Sequence, residues 1–406
     1  MPPAVVVTGL GAVTALGEGV AALAAGLAQG RCAIERLTLF PHAGHAEIAA
    51  EVRDRVNIPS GRLPRATVRR LSRPDRFALI AAAEAYRAAG LGPDLGRDAA
   101  IYVGTTTGGM RETEEAYRRR RAGEDSRFRL SRLLGTPLAT AAAVLSQTLG
   151  LYGRRETFST ACSSSALAVA MAADAVRRGV VPLALAVGTD ALCRLTYAGF
   201  DALQALDPEP CRPFDRDRRG LSLGEGAAAL VLETDAHARA RGARPQAAVL
   251  GWAATGDAHH VTAPHPEGAG GLAALRNALA HAALVPDAVD YVNAHGSGTR
   301  LNDAVEIGVL RRVFGRRLGR LPVSSTKSQL GHCLGAAGAV EAVATVLALR
   351  DGLLPPTVNL RHPDPAWDDL DLVPAAGRRA SLGVAVSSSY GFGGHNVSLV
   401  LGRQAR

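Results

Sequence analysis

The chain has 406 residues, 47% of them hydrophobic, and its 45 glycines and 22 prolines are spread along the whole length. This composition is typical of a globular protein with a substantial core and many tight turns, and it excludes a small scaffold or a disordered chain. The net charge of +9 invites a nucleic-acid hypothesis, which the 4% aromatic content and the absence of nucleic-acid-binding motifs weaken. An acidic protein or a phosphorylated partner fits the charge as well.

The cysteines indicate a reduced protein. Their number is odd, they are scattered, and they show no C-x-x-C spacing: Cys32, Cys162, Cys193, Cys211 and Cys333. This pattern predicts free thiols, a cytoplasmic location and no zinc site.

Every window of about 18 apolar residues is interrupted by a charge, Gly or Pro, so a membrane span is not expected. The N-terminus also lacks the cationic start of a secretory signal.

Short apolar strands alternate with Ala-rich helices in the first half of the chain, which favours an α/β fold with buried sheets. In chain order we predict a strand at 4–8, a helix ending near Gly30, a helix at 76–90, a strand at 99–105, a helix at 136–148, a strand at 156–160, a helix at 162–178, and strands at 183–191 and 226–236. The densely charged stretch 111–132 is expected to be a solvated helix and loop.

A second half with a similar order of elements begins near residue 240. It has helices predicted at 271–283, 303–313 and 335–350, and strands in "AAVLGWAATG", "VDYVNAHG", "LPVSSTK" and "GVAVSSSYGFGGHNVSLVLG". No residue-level repeat is visible. We therefore expect two related lobes, with domains at 1–238 and 239–406.

Cys162 lies where the strand at 156–160 gives way to the next helix. The amides and the positive dipole end of a helix's first turn favour a thiolate, so Cys162 is a candidate nucleophile. A small buried cysteine among Ala and Ser is the alternative for a lone Cys.

Two histidines follow short apolar strands: His295 in "VNAHGSGT" and His332 in "STKSQLGHCLG". Strand ends with Gly-rich turns bring side chains to the sheet edge, where α/β sites are built. Lys327 lies five residues before His332 and is the single lysine among 46 basic residues. Because Arg replaces Lys everywhere else, position 327 is predicted to need a compact ammonium. Chance survival of one lysine is the alternative.

The "SSSYGFGGHN" segment places Gly391, Gly393 and Gly394 around Phe392. Glycines allow positive φ and close backbone approach, so this loop can present an N–H to a reaction centre while the ring covers a pocket.

Several motifs, in order, resemble those of the β-ketoacyl-acyl carrier protein synthases, specifically the elongating Cys-His-His condensing enzymes of the thiolase superfamily. They are "VVVTGLGAVTALG", "TACSSSALA", "CRPFDRDRRGLSLGEGAAALVLE", "VNAHGSGTRLND", "TKSQLGHCLGAAGAVEA" and "GFGGHN". The resemblance covers about residues 4 to 402. It implies a thiolase-like fold of two related lobes, with buried mixed sheets in a layered α-β-α-β-α arrangement.

The resemblance also implies roles for individual residues. Cys162 would accept an acyl chain as a thioester, and His295 and His332 would bind the malonyl thioester oxygen during decarboxylation. Lys327 would pair with Glu341 and hold His332. The N–H groups of Cys162 and Phe392 would form an oxyanion hole, with Phe392 as the gate between Gly391 and Gly393. Ser297 and Thr299 would contact the pantetheine arm.

The implied partner is an acidic acyl carrier protein, which brings the phosphopantetheine, so no resident cofactor and no metal are expected. Arg65, Arg69, Arg70 and Arg73 in the basic stretch "GRLPRATVRRLSRPDR" could dock it, or could be only solvated. The family further implies a homodimer, or a heterodimer with a related ketosynthase-like subunit.

Three alternatives remain open. A thiolase or a starter-type enzyme that uses coenzyme A has other partners for its Cys, whereas this chain has His295, His332 and Lys327. A non-catalytic subunit like the chain-length factors lacks the nucleophile, which Cys162 supplies here. Fatty acid, aryl polyene and aromatic polyketide pathways use similar ketosynthases. Departures from the family pattern at Ser388, Tyr390 and His395 favour a specialised pathway.

Overall fold

The computed structural model describes residues 3–53, 58, 63–92, 97–123, 130–374 and 376–404, without the side chains of 65 and 130–132. The strands are β1 Val5–Thr14, β2 Gly17–Glu18, β3 Glu35–Arg36, β4 Ile48–Ala50, β5 Ala100–Gly104, β6 Arg155–Phe158, β7 Leu183–Asp190, β8 Leu223–Gly224, β9 Gly226–Thr234, β10 Ala247–Gly256, β11 Tyr291–Asn293, β12 Val323–Ser324, β13 Leu353–Leu354, β14 Arg378–Arg379, β15 Val384–Gly391 and β16 His395–Arg403.

The helices are α1 Val20–Ala28, α2 Arg65–Val68, α3 Arg73–Ala88, α4 Met110–Arg121, α5 Thr140–Leu149, α6 Ser164–Arg177, α7 Arg194–Ala202, α8 Asp235–Ala240, α9 Ala269–His281, α10 Arg300–Phe314, α11 Lys327–Leu330 and α12 Ala337–Asp351. Short 3-10 turns lie at Leu130–Gly135, Pro286–Ala288, Gly315–Arg320, Leu334–Ala336 and Pro365–Trp367. Among the described helices, none combines the length and apolar character needed to cross a membrane.

The two halves of the chain repeat one topology. The first half orders its strands β6-β5-β7-β9-β1, and the second orders its strands β12-β11-β15-β16-β10. Numbered along each half, both orders read third, second, fourth, fifth, first. The first three strands of each order are parallel, and the last two run antiparallel to their neighbours. This confirms the two related lobes.

Strands β1 and β10 join the halves at the molecular centre. They pair antiparallel through Val5–Val249, Val6–Ala248 and Val7–Ala247, so the two half-sheets form one continuous sheet. The predicted domain boundary at 238/239 falls inside α8, before β10 begins, and stays a prediction.

Helices cover both faces of each half-sheet. Helix α3 packs on β1, β7 and β9 of the first half-sheet, and helix α9 packs on β10 and β16 of the second. Helices α6 and α12 contact each other, and each also contacts strands of both half-sheets. In α12 every residue from Ala337 to Leu349 is buried, as expected for a helix with sheet on both sides. The layers therefore run α-β-α-β-α, which confirms the predicted fold class.

Local signals explain several boundaries. Ser72 caps α3 and forms a capping box with Asp75, so the helix begins three residues before the predicted start at 76. Helix α4 begins one residue before the charged stretch 111–132 and covers its first part, where a helix was predicted, whereas residues 124–129 lie outside the described residues. Its one buried residue among those described is Ala116.

Candidate active site

The structure brings the predicted nucleophile and both histidines to one cavity. Cys162, His295 and His332 line a cavity of about 340 Å³, together with Ser297, Thr299 and Phe392. Cys162 comes from the N-terminal half, whereas the other five come from loops of the C-terminal half. The cavity therefore depends on contact between the halves.

Cys162 sits on a sharp turn between β6 and α6. Ala161 before it has φ +51°, a strained conformation for a residue with a Cβ, and Ser163 occupies the N-cap position of α6 without a side-chain cap hydrogen bond. We expected helix from 162, but α6 begins at Ser164. The thiol therefore lies just ahead of the helix rather than in its first turn, because the Ala161 turn breaks the helical backbone.

The pKa of the Cys162 thiol is also opposite to our expectation. Burial raises it to about 11, while Lys327 and the backbone N–H of Phe392 act in the lowering direction. The loss of hydration outweighs the favourable charges, so the thiol is protonated at neutral pH. Acyl transfer at this sulfur therefore requires a proton acceptor.

His332 carries a defined tautomer. The backbone N–H of Leu334 donates to Nδ1 at 3.0 Å, so in the neutral ring the proton resides on Nε2. Burial, assisted by Lys327, holds the pKa of His332 well below its usual 6.5. Its Nε2 accepts or donates no hydrogen bond within the described residues. A neutral ring with an uncommitted N–H is a suitable donor for an oxygen that gains negative charge.

His295 is held by its backbone. Its N–H donates to Glu306 Oε1 at 2.7 Å, and its carbonyl accepts from Lys327 Nζ at 2.6 Å. Burial, Lys327 and His332 all lower the pKa of its ring well below 6.5. Both imidazoles are therefore neutral at neutral pH.

Lys327 pairs with Glu341, and both side chains are almost fully buried. The resemblance implied that this pair holds His332. In the structure the second hydrogen bond of Nζ goes to the carbonyl of His295 instead, so the ammonium positions the other histidine directly. Its charge still acts on His332 through space.

The Phe392 loop closes the cavity. A Cβ at Gly391 would lie 2.8 Å from the carbonyl oxygen of Thr160 and 3.2 Å from the Cys162 nitrogen, so only glycine allows this approach. Gly393 follows with φ +82°. The Phe392 ring stacks on Phe200, with 5.5 Å between centroids, and covers the cavity as a gate would.

Ser297 and Thr299 form a pair of hydroxyls on the cavity wall. Their oxygens are 3.0 Å apart, and Thr299 also caps α10 by accepting from the Asn302 N–H. Both positions can therefore present polar groups to a bound chain.

The predicted docking arginines have different environments. Arg69 and Arg70 are exposed. The side chain of Arg65 lies outside the described residues. Arg73 departs from the expectation, because its Nε donates to buried Glu225 at 2.8 Å and its Nη2 to the Val52 carbonyl at 2.7 Å. Arg73 is therefore partly buried and engaged with the interior, and its role in docking stays a prediction.

Two residues of the site were missed from the sequence. Glu306 accepts the N–H groups of His295 and Gly296, each at 2.7 Å, and burial raises its pKa to about 7. The sequence signal for Glu306 was an acidic residue two turns into α10, the helix that follows the His295 loop. Phe200 lies on α7, and nothing in its local sequence indicated the stack with Phe392. Among the residues the structure describes, no cluster of three His, Cys, Asp or Glu side chains could hold a metal ion.

Comparison with family models places both halves of the chain. Residues 3–238 match the beta-ketoacyl synthase N-terminal domain, and residues 246–361 match the C-terminal domain.

Curated relatives match over nearly their full length. Nodulation protein E of Rhizobium meliloti (strain 1021) is 39% identical over 399 residues, covering 97% of this chain and 98% of the relative. The 3-oxoacyl-[acyl-carrier-protein] synthase 2 of Synechocystis sp. is 38% identical, covering 97% of each. A putative polyketide beta-ketoacyl synthase 1 of Streptomyces halstedii is 41% identical, covering 98% and 97%.

Solved structures are similarly close. The ishigamide ketosynthase/chain length factor superposes with a TM-score of 0.92 at 34% identity, with both chains fully covered. A type II polyketide ketosynthase in complex with its acyl carrier protein, bound to a hexaketide, gives a TM-score of 0.87 at 28% identity, again with full coverage of both.

Proposed function

This chain belongs to the beta-ketoacyl synthase family, and we propose that it catalyses decarboxylative condensation of a Cys162-bound acyl chain with a malonyl thioester on an acyl carrier protein. The family membership makes it a condensing enzyme of the acyltransferase type. The product is a 3-oxoacyl thioester two carbons longer than the acyl donor. The observation that carries the residue assignments is the single cavity shared by Cys162, His295 and His332.

The first step transfers the acyl group to the enzyme. The Cys162 sulfur attacks the carbonyl of the acyl-carrier thioester, and the carrier's pantetheine thiol leaves with the proton that Cys162 gives up. Because burial keeps the thiol protonated, the proton must pass through a neighbouring base. The neutral imidazole of His295 fits that role, whereas the Nε2 of His332 already carries a proton. The N–H groups of Cys162 and Phe392 stabilise the tetrahedral oxyanion.

The second step uses the malonyl thioester. Loss of CO₂ leaves an enolate whose oxygen accepts hydrogen bonds from His295 and His332. Neutral donors serve better here than imidazolium ions would, since a full proton transfer would quench the carbanion. The enolate carbon attacks the acyl-Cys162 carbonyl, the C–S bond breaks, and the Cys162 thiolate takes up one proton.

An acyl carrier protein is the proposed source of both thioesters. The chain carries no carrier motif of its own, its net charge is +9, and Arg69 and Arg70 are exposed. Such a surface attracts an acidic carrier. The phosphopantetheine arrives with the carrier, so we propose no resident cofactor. We further propose a dimer, with a second copy or with a related ketosynthase-like subunit.

The direct test is thioester formation. Intact-protein mass spectrometry after incubation with an acyl-carrier donor should show one acyl group on the wild-type chain, followed by release of CO₂ and a 3-oxoacyl product when malonyl carrier is added. A wild-type chain that is never acylated, in the presence of a range of acyl donors and of a candidate partner subunit, would refute the proposal.

A further inference from the structure

The mouth of the active-site cavity carries two arginines that the mechanism does not use. We propose that Arg219 and Arg300 bind the phosphate of the incoming pantetheine arm, the group that joins the arm to its carrier protein. This inference rests on the proposed condensing function and assigns the recognition of its substrate. Both arginines line the same cavity as Cys162 and the two histidines, and both are exposed.

Two loops in close contact bring these arginines together. Gly298 has φ +84°, and a Cβ there would lie 2.7 Å from the carbonyl oxygen of Gly220. The backbone before Arg300 therefore touches the backbone after Arg219. The Arg300 Nε also donates to the carbonyl of Arg218 at 3.4 Å. Backbone packing thus places both arginines at the same cavity.

Two other arginines of the same loop, Arg212 and Arg218, are neutralised internally. Arg218 is buried and has its Nη1 2.9 Å from Asp364 Oδ2 and its Nε 3.7 Å from Asp303 Oδ2. Arg212 pairs with Asp207 and Glu209 at 3.3 Å and 3.1 Å.

Arg219 and Arg300 have much weaker neutralisation. The ion pair of Arg219 is a 3.7 Å contact with Glu209, in which both side chains are about half exposed. An exposed ion pair of this kind contributes little free energy. Arg300 forms no ion pair with any residue in the described ranges. Two positive charges therefore remain at the mouth and can bind an anion.

Along the cavity wall from Ser297 to Arg300, the side chains change from hydroxyls to a guanidinium in the order in which the amides and the phosphate of the pantetheine arm would meet them. Ser297 is 3% exposed, Thr299 is half-buried, and Arg300 is exposed, so the segment leads from the cavity interior to solvent. The hydroxyls suit the amides of pantetheine, and the guanidinium suits the phosphate at its outer end. Leu203 and Leu301 line the same mouth, and such apolar neighbours strengthen a charged contact.

The experiment compares acyl donors that differ at the phosphate. Acylation of Cys162 is followed by mass spectrometry with acyl-pantetheine, acyl-phosphopantetheine, acyl-coenzyme A and acyl-carrier protein, for the wild type and for the double variant Arg219→Gln/Arg300→Gln. We expect kcat/KM to fall about tenfold with acyl-phosphopantetheine and acyl-carrier protein, and to change less than about twofold with acyl-pantetheine. The variant Arg219→Lys/Arg300→Lys should recover part of the loss.

A matched control is Arg239→Gln. Arg239 is an exposed arginine on α8 that pairs with Asp235 and does not line the cavity. It should leave all four donors unchanged. Equal losses with acyl-pantetheine and acyl-phosphopantetheine, or a loss confined to acyl-coenzyme A, would overturn the phosphate assignment. Absence of any Cys162 thioester on the wild type would instead overturn the proposed function itself.

Discussion

The imidazole rings of His295 and His332 lie edge to face, with centroids 5.4 Å apart and planes at 76°. Their backbones are held by different partners, Glu306 and Lys327 for His295 and the Ser222 carbonyl for His332. Two neutral donors can therefore approach one oxygen from different directions. This arrangement explains how a carbanion equivalent could be stabilised without a metal ion.

Replacement of the nucleophile tests its identity. We expect Cys162→Ala to form no acyl thioester, because no other thiol lines the cavity. Cys32→Ala is the matched control, since Cys32 is half-buried at a different site and its loss should leave acylation intact. Intact-protein mass spectrometry reads both variants. An acylated Cys162→Ala chain would contradict the assignment.

The tautomer of His332 makes its substitutions unequal. The amide nitrogen of Gln reaches the position of the histidine Nε2, whereas that of Asn matches Nδ1, which here accepts from Leu334. We therefore expect His332→Gln to keep malonyl decarboxylation about tenfold faster than His332→Asn. Release of CO₂ from malonyl carrier measures the rate. The reverse order would mean that Nδ1 is the working atom.

The lowered pKa values of His295 and His332 predict that the decarboxylation rate does not fall on the acid side of neutrality. Since both rings stay neutral well below 6.5, the decarboxylation rate should remain level from about pH 8 to about pH 6. The measurement is CO₂ release in buffers of constant ionic strength, with carrier stability checked at each pH. A decline centred near 6.5 would show that a ring titrates normally.

Lys327 should not tolerate replacement by Arg. Its compact ammonium bridges Glu341 and the His295 carbonyl in a buried space, which a planar guanidinium would displace. We expect Lys327→Arg to lower condensation roughly 100-fold by moving His295. Near-normal condensation would make the single lysine a coincidence.

Comparing single and double variants of Lys327 and Glu341 separates the contribution of this pair to stability from its role in positioning His295. Lys327→Met should cost about 3–5 kcal/mol because it isolates Glu341, whereas Lys327→Met/Glu341→Leu should fold better than the single variant. Both should remain inactive. Denaturant unfolding measures the stabilities, and additive losses would contradict a direct coupling.

Glu306 should make stability fall as pH rises. Its folded pKa of about 7 exceeds its ordinary 4.5, so between these values the folded state holds a proton that the unfolded state has lost. The difference in unfolding free energy between wild type and Glu306→Gln should therefore shift against the wild type from about pH 4.5 to 7 and then level off. A shift in the opposite direction would place the folded pKa below 4.5.

The Phe392 loop allows backbone and side-chain effects to be separated. Gly391→Ala forces a Cβ against the Thr160 carbonyl and should displace the Phe392 N–H, so acyl transfer should fall at least about tenfold. Phe392→Ala keeps that N–H and removes the stack on Phe200, so transfer should persist while acyl-length preference changes. Competition among acyl donors of graded length distinguishes the two variants.

The motif residues were accessible from the sequence because short, local patterns specify them. Cys162, His295 and Lys327 lie at a strand end or helix start, and His332 lies in the short loop after α11; alternating hydrophobicity and glycines mark these places. The fold class followed from the same alternation. The start of α6 was placed two residues early, because nothing local predicts the positive φ of Ala161.

Tertiary packing alone decided the electrostatics of the site. The sequence determined which groups are present, including a thiol ahead of a helix and a single lysine. Long-range packing then buried Cys162 and raised the pKa of its thiol, directed Lys327 to the His295 carbonyl, and engaged Arg73 with Glu225. Hydration loss and long-range contacts depend on residues distant in the chain, so local patterns carry no record of them.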